Sequence, residues 1–195
     1  QLSFQRFHLS SLRLLKENSE YVAEDNKSRM MDAFEQTYLV CKNIENFNRL
    51  PGFTKHFPAT RGTWNQAVEI CRYVNQMMEE LVDVDAMIED QDEDIRFLGK
   101  LVARYKELLD RNGAMDFSSI QTKTFEMLKQ YPDVLQRIQS DIRYIMVDEY
   151  QDTNYIQEQL VFLLAGEKKN ICVVGDDDQG MYRFRGATIR NILEF

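Results

Sequence analysis

The stretch Ile142-Arg-Tyr-Ile-Met-Val-Asp-Glu-Tyr-Gln-Asp-Thr-Asn154 decides the fold, together with a second stretch, Ile171-Cys-Val-Val-Gly-Asp-Asp-Asp-Gln-Gly-Met-Tyr-Arg-Phe-Arg-Gly-Ala187. Each contains a short apolar run, Tyr144–Val147 and Ile171–Val174, that is followed closely by acidic residues. A helical pattern of about a dozen residues separates the runs and predicts two parallel strands joined by a helix, a βαβ unit. Ligands of open parallel sheets bind at the carboxyl ends of the strands, where these acids lie.

Asp148 and Glu149 directly follow the first predicted strand. An Asp-Glu pair at such a strand end suits nucleotide hydrolysis, because Asp148 could hold Mg²⁺ while Glu149 orients or deprotonates the attacking water. The alternative is that the two acids merely cap the next turn. The neighbouring polar residues Gln151 and Asp152, and a Gln and an aromatic-basic series after the second strand, favour the functional interpretation.

These stretches resemble a known family in detail. Val147–Asn154 resembles motif II of the UvrD/Rep-type superfamily 1 DNA helicases, and Val174–Ala187 resembles their motif III. Ala114–Phe117 resembles the Asp-Phe segment that precedes motif II in the family. The resemblance is highly specific from about Val102 to Phe195, whereas residues 1–100 resemble the family only in being helical.

The resemblance implies a nucleotide site. The resemblance to motif II supports the roles suggested by the residues themselves, with Asp148 expected to bind the metal and Glu149 to be catalytic. The Gln of motif III contacts the terminal phosphate of the nucleotide, which assigns Gln179 to ATP binding and to catalysis. A neutral amide is suited to this contact, because it can donate to a phosphate oxygen and accept from water. The alternative for Gln179 is a turn amide that satisfies its own backbone.

The resemblance also implies a DNA contact after the second strand. Tyr182, Phe184 and Arg185 are expected to bind single-stranded DNA, since aromatic rings stack on unpaired bases at roughly 1–3 kcal/mol each and Arg pairs with phosphate. Gly180 stands where the family usually has Ser, and Phe184 stands where Trp is common, which gives a smaller stacking surface. The alternative is that the aromatic residues are buried under the sheet edge. If they do bind DNA, their proximity to Gln179 would couple hydrolysis to strand movement.

The predicted fold class is α/β and mostly helical. Residues 1–112 are expected to form a helical, bundle-like insertion, and residues 113–195 the C-terminal half of a P-loop NTPase (RecA-like) motor domain with the parallel βαβ unit. The resemblance implies a parent helicase that uses ATP and Mg²⁺, binds single-stranded and duplex DNA, unwinds 3′→5′, and acts in a bacterial-type cytoplasm at the nucleoid. The resemblance leaves repair, replication and recombination open as its pathway.

The phosphate-binding loop of a helicase, Gly-x-x-x-x-Gly-Lys-Ser/Thr, is missing from the sequence. Gly99-Lys100 is the only Gly-Lys pair, but Leu101 follows it and Asp94 stands where the first Gly should be. No Lys is therefore expected to reach the β- and γ-phosphates. The chain is expected to be a fragment that also lacks the second motor domain, and that alone neither hydrolyses ATP nor unwinds DNA.

Composition limits the other possibilities. The chain of 195 residues is 44% hydrophobic and 29% charged, which is typical of a soluble globular protein, and it has no apolar run of the roughly 20 residues that span a membrane. A net charge of −8 argues against a protein that coats DNA through a broadly basic surface. Its three widely spaced cysteines, Cys41, Cys71 and Cys172, predict neither a zinc site nor a disulfide framework, and favour a reducing cytosol.

The N-terminal part reads as helices with apolar faces. Predicted helices cover Leu2–Lys16 and Lys27–Asn46, and a longer helix begins at Thr63, with Thr63 and Gln66 forming a capping box and Trp64 in the core. The acidic run Glu79–Asp94 is expected to be a solvated helix face and loop. A calcium loop starting at Asp90 fails, because Ile95 and Leu101 occupy the positions that require Gly and Glu.

Two other functions stay open at this level. Pro132-Asp133 followed by Glu167-Lys168-Lys169 is similar to the signature of a metal-dependent nuclease, whose carboxylates bind two metals. The predicted positions, at a helix start and in a helix–strand turn, do not suit that chemistry. Residues 1–110 could instead be a non-enzymatic helical interaction module.

Overall fold

A computed structural model describes residues 2–3, 7–21 and 28–176, and within these ranges most residues are helical. The α-helices are α1 (Phe7–Glu17), α2 (Ala33–Lys42), α3 (Ile44–Asn48), α4 (Phe53–His56), α5 (Thr63–Glu79), α6 (Val84–Glu89), α7 (Glu93–Arg111), α8 (Phe117–Gln130), α9 (Pro132–Asp141) and α10 (Tyr155–Ala165). The strands are β1 (Leu2–Ser3), β2 (Arg29–Met30), β3 (Ala114–Met115), β4 (Ile145–Val147) and β5 (Ile171–Val173). The mostly helical α/β class is confirmed.

The described residues divide into two compact units, one within Lys27–Phe117 and one within Gln1–Asn26 and Ser118–Phe195. The first, the helical unit, contains α2–α7 and a parallel pair formed by β2 and β3. The second, the sheet unit, contains a three-stranded parallel sheet in the order β1-β4-β5. The assignment of residues 1–112 to an insertion and 113–195 to a motor domain stays a prediction.

The sheet unit shows where the N-terminal helix prediction was wrong. Leu2–Ser3 is a strand, with Leu2 paired to Ile145 of β4, and helix α1 begins only at Phe7. An apolar pattern cannot distinguish these residues from a helix start, because only a partner strand distant in sequence supplies the hydrogen bonds. The predicted βαβ unit is confirmed in its strands: β4 and β5 are parallel, with Ile145 opposite Ile171, and α10 joins them.

The helical unit encloses an apolar core in which Val40, Phe47, Ile70, Val74 and Leu101 have no exposed surface. The predicted helix Lys27–Asn46 was too long at its start. Arg29–Met30 pairs with β3, and α2 begins after the cap residue Asp32, which forms a capping box with Glu35. The cap supplies hydrogen bonds for first-turn N–H groups, so the helix has a defined start there.

Helix α5 corrects two predictions. Thr63 and Gln66 form no capping box; the cap residue is Gly62, and the Gln66 side chain instead donates to the Phe57 carbonyl oxygen at 2.8 Å. Trp64 is not in the core: it is 40% exposed and contacts the ring of Phe34, with the centroids 5.5 Å apart. The apolar residues that α5 does bury are Ala67, Ile70, Cys71, Val74 and Met78.

The acidic run behaves as expected. Asp83 caps α6 and Asp92 caps α7, each through a side chain that accepts backbone N–H groups, and most of the acidic side chains in the run are exposed. Carboxylates at helix N-termini are stabilised by the helix dipole. Among the described residues, no helix combines the length and the apolar character needed to cross a membrane.

Candidate active site

The carboxyl ends of β4 and β5 are held side by side beyond the last paired residues. The Val174 N–H donates to the Val147 carbonyl oxygen at 2.8 Å, and the Tyr150 N–H donates to the Val174 carbonyl oxygen at 2.9 Å. The segment that carries Asp148 and Glu149 is therefore bonded on both sides to the end of the neighbouring strand. Both acidic side chains are exposed at this edge.

Glu149 lies in a sharp turn immediately after the strand. Its backbone is left-handed, with φ 52° and ψ 46°, a conformation that is uncommon for residues other than Gly. The turn leads into a short 3₁₀ segment, Tyr150–Asp152. The Glu149 N–H donates to Oδ1 of Asp148 at 3.1 Å, so the two acids are locally coupled.

Gln151 connects the two strand ends through its side chain. Its Nε2 donates to Oε2 of Glu149 at 2.6 Å, and its Oε1 accepts the backbone N–H of Asp176 at 3.1 Å. Only 3% of Gln151 is exposed. One buried amide thus holds the carboxylate of the first strand end and the backbone of the second at the same time.

Gly175 leaves the room that this amide needs. A Cβ atom at position 175 would lie 2.7 Å from Oε1 of Gln151, and 3.4 Å from the backbone nitrogens of Tyr150 and Gln151. The shorter distance is well inside van der Waals contact, so any side chain at this position would push the Gln151 amide away from its two partners.

Buried polar contacts anchor the base of the turn. Tyr150 is 1% exposed, and its hydroxyl donates to Oε1 of Glu158 at 3.2 Å. Burial and the nearby Glu158 carboxylate raise the pKa of Tyr150 above its usual value, which keeps the hydroxyl protonated as a donor. The Thr153 hydroxyl donates to the Tyr150 carbonyl oxygen at 2.7 Å, and Asn154 forms a capping box with Gln157 at the start of α10. The turn is therefore held from beneath while its acids stay exposed.

The exposed acids have the chemistry of a magnesium site. Mg²⁺ is usually held by one or two carboxylates together with substrate phosphates and water. In the described part of the chain, neither Asp148 nor Glu149 forms a salt bridge. The same ranges contain no group of three or more His, Cys, Asp or Glu that could hold a metal ion. The two exposed carboxylates thus fit an ion that is shared with a phosphate ligand.

The structure brings together only part of the predicted site. Asp148 and Glu149 lie at the strand end as expected, whereas Gln179, Tyr182, Phe184 and Arg185 lie outside the described residues. Sequence reasoning gave Gln151 no role of its own, and it gave none to Gly175. A Gln two residues after the acids and a Gly directly after the second apolar run were visible, but their contact depends on the pairing of the strands.

The residues of the nuclease interpretation lie elsewhere in the sheet unit. Asp133 is in the first turn of α9, and Glu167 is in a 3₁₀ turn that follows α10, not on a strand. Pro132, Glu167 and Lys168 line one cavity between the ends of these helices, but Asp133 is not among the residues that line it.

Comparison with known proteins shows the family of the chain. The family model of the UvrD/REP helicase N-terminal domain matches residues 1–195. The chain belongs to this family. It is 32% identical over 189 residues to the ATP-dependent DNA helicase PcrA of Staphylococcus aureus (strain Mu50 / ATCC 700699) and 31% identical over 191 residues to DNA helicase II of Haemophilus influenzae. Each alignment covers 97% of this chain.

This member of the UvrD/REP family spans about a quarter of the length of those relatives: each alignment covers 24% of the relative. The match extends through the N-terminal helical residues, which sequence reasoning had related to the family only by their helical character. The family suspected from the two C-terminal motifs is therefore confirmed over the whole chain.

Proposed function

We propose that the chain is part of an ATP-dependent DNA helicase that couples the hydrolysis of Mg-ATP to movement along single-stranded DNA and to unwinding of the duplex. The observation that carries the proposal is the strand-end arrangement, in which two exposed carboxylates lie beside the end of the neighbouring parallel strand. Family membership and the names of the relatives support it. The RecA-like character of the sheet unit is part of the proposal.

In this proposal Asp148 and Glu149 have different roles in hydrolysis. Asp148 would hold Mg²⁺, which supplies charge neutralisation for the phosphates when it is bound. The Glu149 carboxylate would orient the attacking water and accept its proton, as the water oxygen bonds to the γ-phosphorus and the bond to the bridging oxygen breaks. Exposure of both side chains is consistent with these roles, because a buried and fully bonded carboxylate could not reach a ligand.

The DNA contact and the second half of the nucleotide contact are proposed for residues outside the described ranges. Gln179 would contact the terminal phosphate, and Tyr182, Phe184 and Arg185 would contact single-stranded DNA. The 3′→5′ direction and a place at the nucleoid of a bacterial-type cytoplasm rest on the family resemblance alone. We also keep the prediction that these 195 residues alone do not hydrolyse ATP, because the Gly-rich Lys loop is absent from the sequence.

The test is the Glu149→Gln variant of the full-length protein that contains this chain. Loss of the proton acceptor is expected to lower the DNA-stimulated rate of phosphate release by about 10²- to 10⁴-fold, while nucleotide binding, measured by calorimetry, persists. Glu167→Gln is the matched control, since Glu167 is an exposed acid in the turn after α10. Equal rates in the wild type and Glu149→Gln would refute the assignment.

A further inference from the structure

Gln151 is buried although it lies in a turn at the edge of the sheet. It is 3% exposed, whereas Glu149, two residues before it, and Asp152, directly after it, are exposed. Its two hydrogen bonds have different functions in the fold: one reaches a side chain that carries the proposed chemistry, and the other reaches the backbone that continues toward the second motif.

The Glu149 end of this link is the shorter one, with 2.6 Å between Nε2 of Gln151 and Oε2 of Glu149. A hydrogen bond to a charged acceptor is stronger than one between neutral groups and fixes its direction more strictly. The bond occupies Oε2 of Glu149, and in the described ranges no hydrogen bond to Oε1 is present, so that oxygen is available there. It therefore limits the orientations that an otherwise exposed and flexible side chain can adopt.

The Asp176 end joins the same amide to the neighbouring strand. Oε1 of Gln151 accepts the Asp176 N–H, and Gly175 approaches the amide so closely that a Cβ atom there would lie 2.7 Å from Oε1. A shift of the backbone at 175–176 would therefore move the amide. Since the amide also holds Glu149, the shift would change the position of the carboxylate.

We propose that Gln151 is a positioning residue: its amide sets the orientation of the Glu149 carboxylate according to the position of the Gly175–Asp176 backbone. The inference rests on the proposed function, because it assumes that Glu149 accepts a proton from the attacking water. In this proposal Gln151 acts through Glu149 and needs no contact of its own with the water or the phosphate. A change in the backbone position after β5 would thereby change the orientation of the Glu149 carboxylate after β4.

The main test is Gln151→Met in the full-length protein, since Met has a similar length and no amide. Displacing a catalytic group by about 1 Å can cost on the order of 10²-fold in rate, so kcat for DNA-stimulated ATP hydrolysis is expected to fall by about that factor, with KM nearly unchanged. Gln139→Met is the matched control, because Gln139 donates one hydrogen bond of 2.8 Å to the Leu163 carbonyl oxygen, away from the strand ends.

Two further variants separate positioning from a general loss of structure. Adding Gln151→Met to Glu149→Gln is expected to cause little further loss, because both changes act through one carboxylate. Gly175→Ala is expected to reduce kcat in the same way, since the added methyl group displaces the flexible end of Gln151. Full additivity of the double variant, or a change in KM alone, would overturn the proposal.

A readout without nucleotide completes the test. Hydrogen exchange followed by mass spectrometry on the nucleotide-free full-length protein should show faster exchange at the Asp176 amide in Gln151→Met, and no change in Gln139→Met. If Glu149→Gln abolishes hydrolysis while Gln151→Met leaves both kcat and exchange at wild-type values, the positioning role fails and the proposed function stands. If Glu149→Gln also has no effect, the proposed function itself fails.

Discussion

The helical unit and the sheet unit place their most informative carboxylates in opposite surroundings. Asp116 of the helical unit is 3% exposed and accepts hydrogen bonds from the Tyr105 hydroxyl and from Nε2 of Gln36. Asp148 and Glu149 of the sheet unit are exposed at a strand end. A buried carboxylate surrounded by donors stabilises a fold, whereas an exposed one on a rigid turn is available to a ligand.

The Gln36 side chain extends the hydrogen-bond network around Asp116. Nε2 of Gln36 lies 2.8 Å from the Tyr105 hydroxyl, 2.8 Å from Oδ1 of Asn75 and 3.0 Å from Oδ2 of Asp116. These residues come from α2, α5, α7 and the segment after β3, so one network joins the main parts of the helical unit. Acidic residues that each follow an apolar residue, in Met-Asp-Phe and in Val-Asp-Glu, therefore differ in burial and in what they contact.

The largest effect on the free energy of unfolding is expected when the buried carboxylate is removed and the exposed one is kept. Asp116→Ala should lower the free energy of unfolding by about 2–3 kcal/mol, because it removes the carboxylate to which the buried Tyr105 hydroxyl donates and one of the three acceptors around Nε2 of Gln36. Asp148→Ala, the matched control on the exposed carboxylate, should change it by less than about 0.5 kcal/mol. Urea unfolding followed by circular dichroism measures both. Equal losses would remove the distinction between the two acids.

An intermediate effect concerns the thiols of the two units. Cys71 is buried in the helical unit, whereas Cys172 is exposed on β5. Burial raises the pKa of Cys71 from 9.0 to about 12. The unfolded chain therefore releases this proton first, and the stability it contributes is complete below pH 9 and is lost progressively as the pH rises toward 12. The expected loss is up to about 1.4 kcal/mol per pH unit.

The measurement for the thiols is the free energy of unfolding between pH 9 and 10. Cys71→Ala should show a smaller decrease over this interval than the wild type, because the titrating buried group is gone. Cys172→Ala removes an exposed thiol and serves as the control. The interval ends at the ordinary pKa of tyrosine, 10.0, so Tyr105, whose pKa is raised well above that value mainly by burial, adds little to the difference.

The smallest effect on stability is expected from removing a side chain at the start of a helix, in one helix of each unit. Asn154→Ala removes the cap of α10 in the sheet unit, where Oδ1 of Asn154 accepts the Gln157 N–H at 3.1 Å, and should cost about 1 kcal/mol. Thr63→Ala in the helical unit should cost almost nothing, because no side chain caps α5. Thermal unfolding of both variants measures the difference, and a loss at Thr63 as large as that at Asn154 would contradict the observed caps.

The sequence predicted some elements well for a physical reason. Helix α10 lies in the helical spacer predicted between the two apolar runs, and β4 and β5 fall within those runs. In these segments local pattern and tertiary packing favour the same structure. The pattern was misleading at Leu2–Ser3 and Arg29–Met30, which are strands only because distant residues pair with them. It also misplaced Trp64, since a wide apolar stripe does not show which of its edges faces the core.

The amino-acid sequence by itself determined the family, the parallel βαβ unit and the position of Asp148 and Glu149 at a strand end, because these follow from short motifs and local periodicity. Only the tertiary structure decided that Gln151 holds Glu149 to the backbone of Asp176, that Gly175 makes room for that amide, and that Asp116 is buried in a network of α2, α5 and α7. Contacts between residues 25 or 80 positions apart depend on the pairing of strands and packing of helices, which no local pattern encodes.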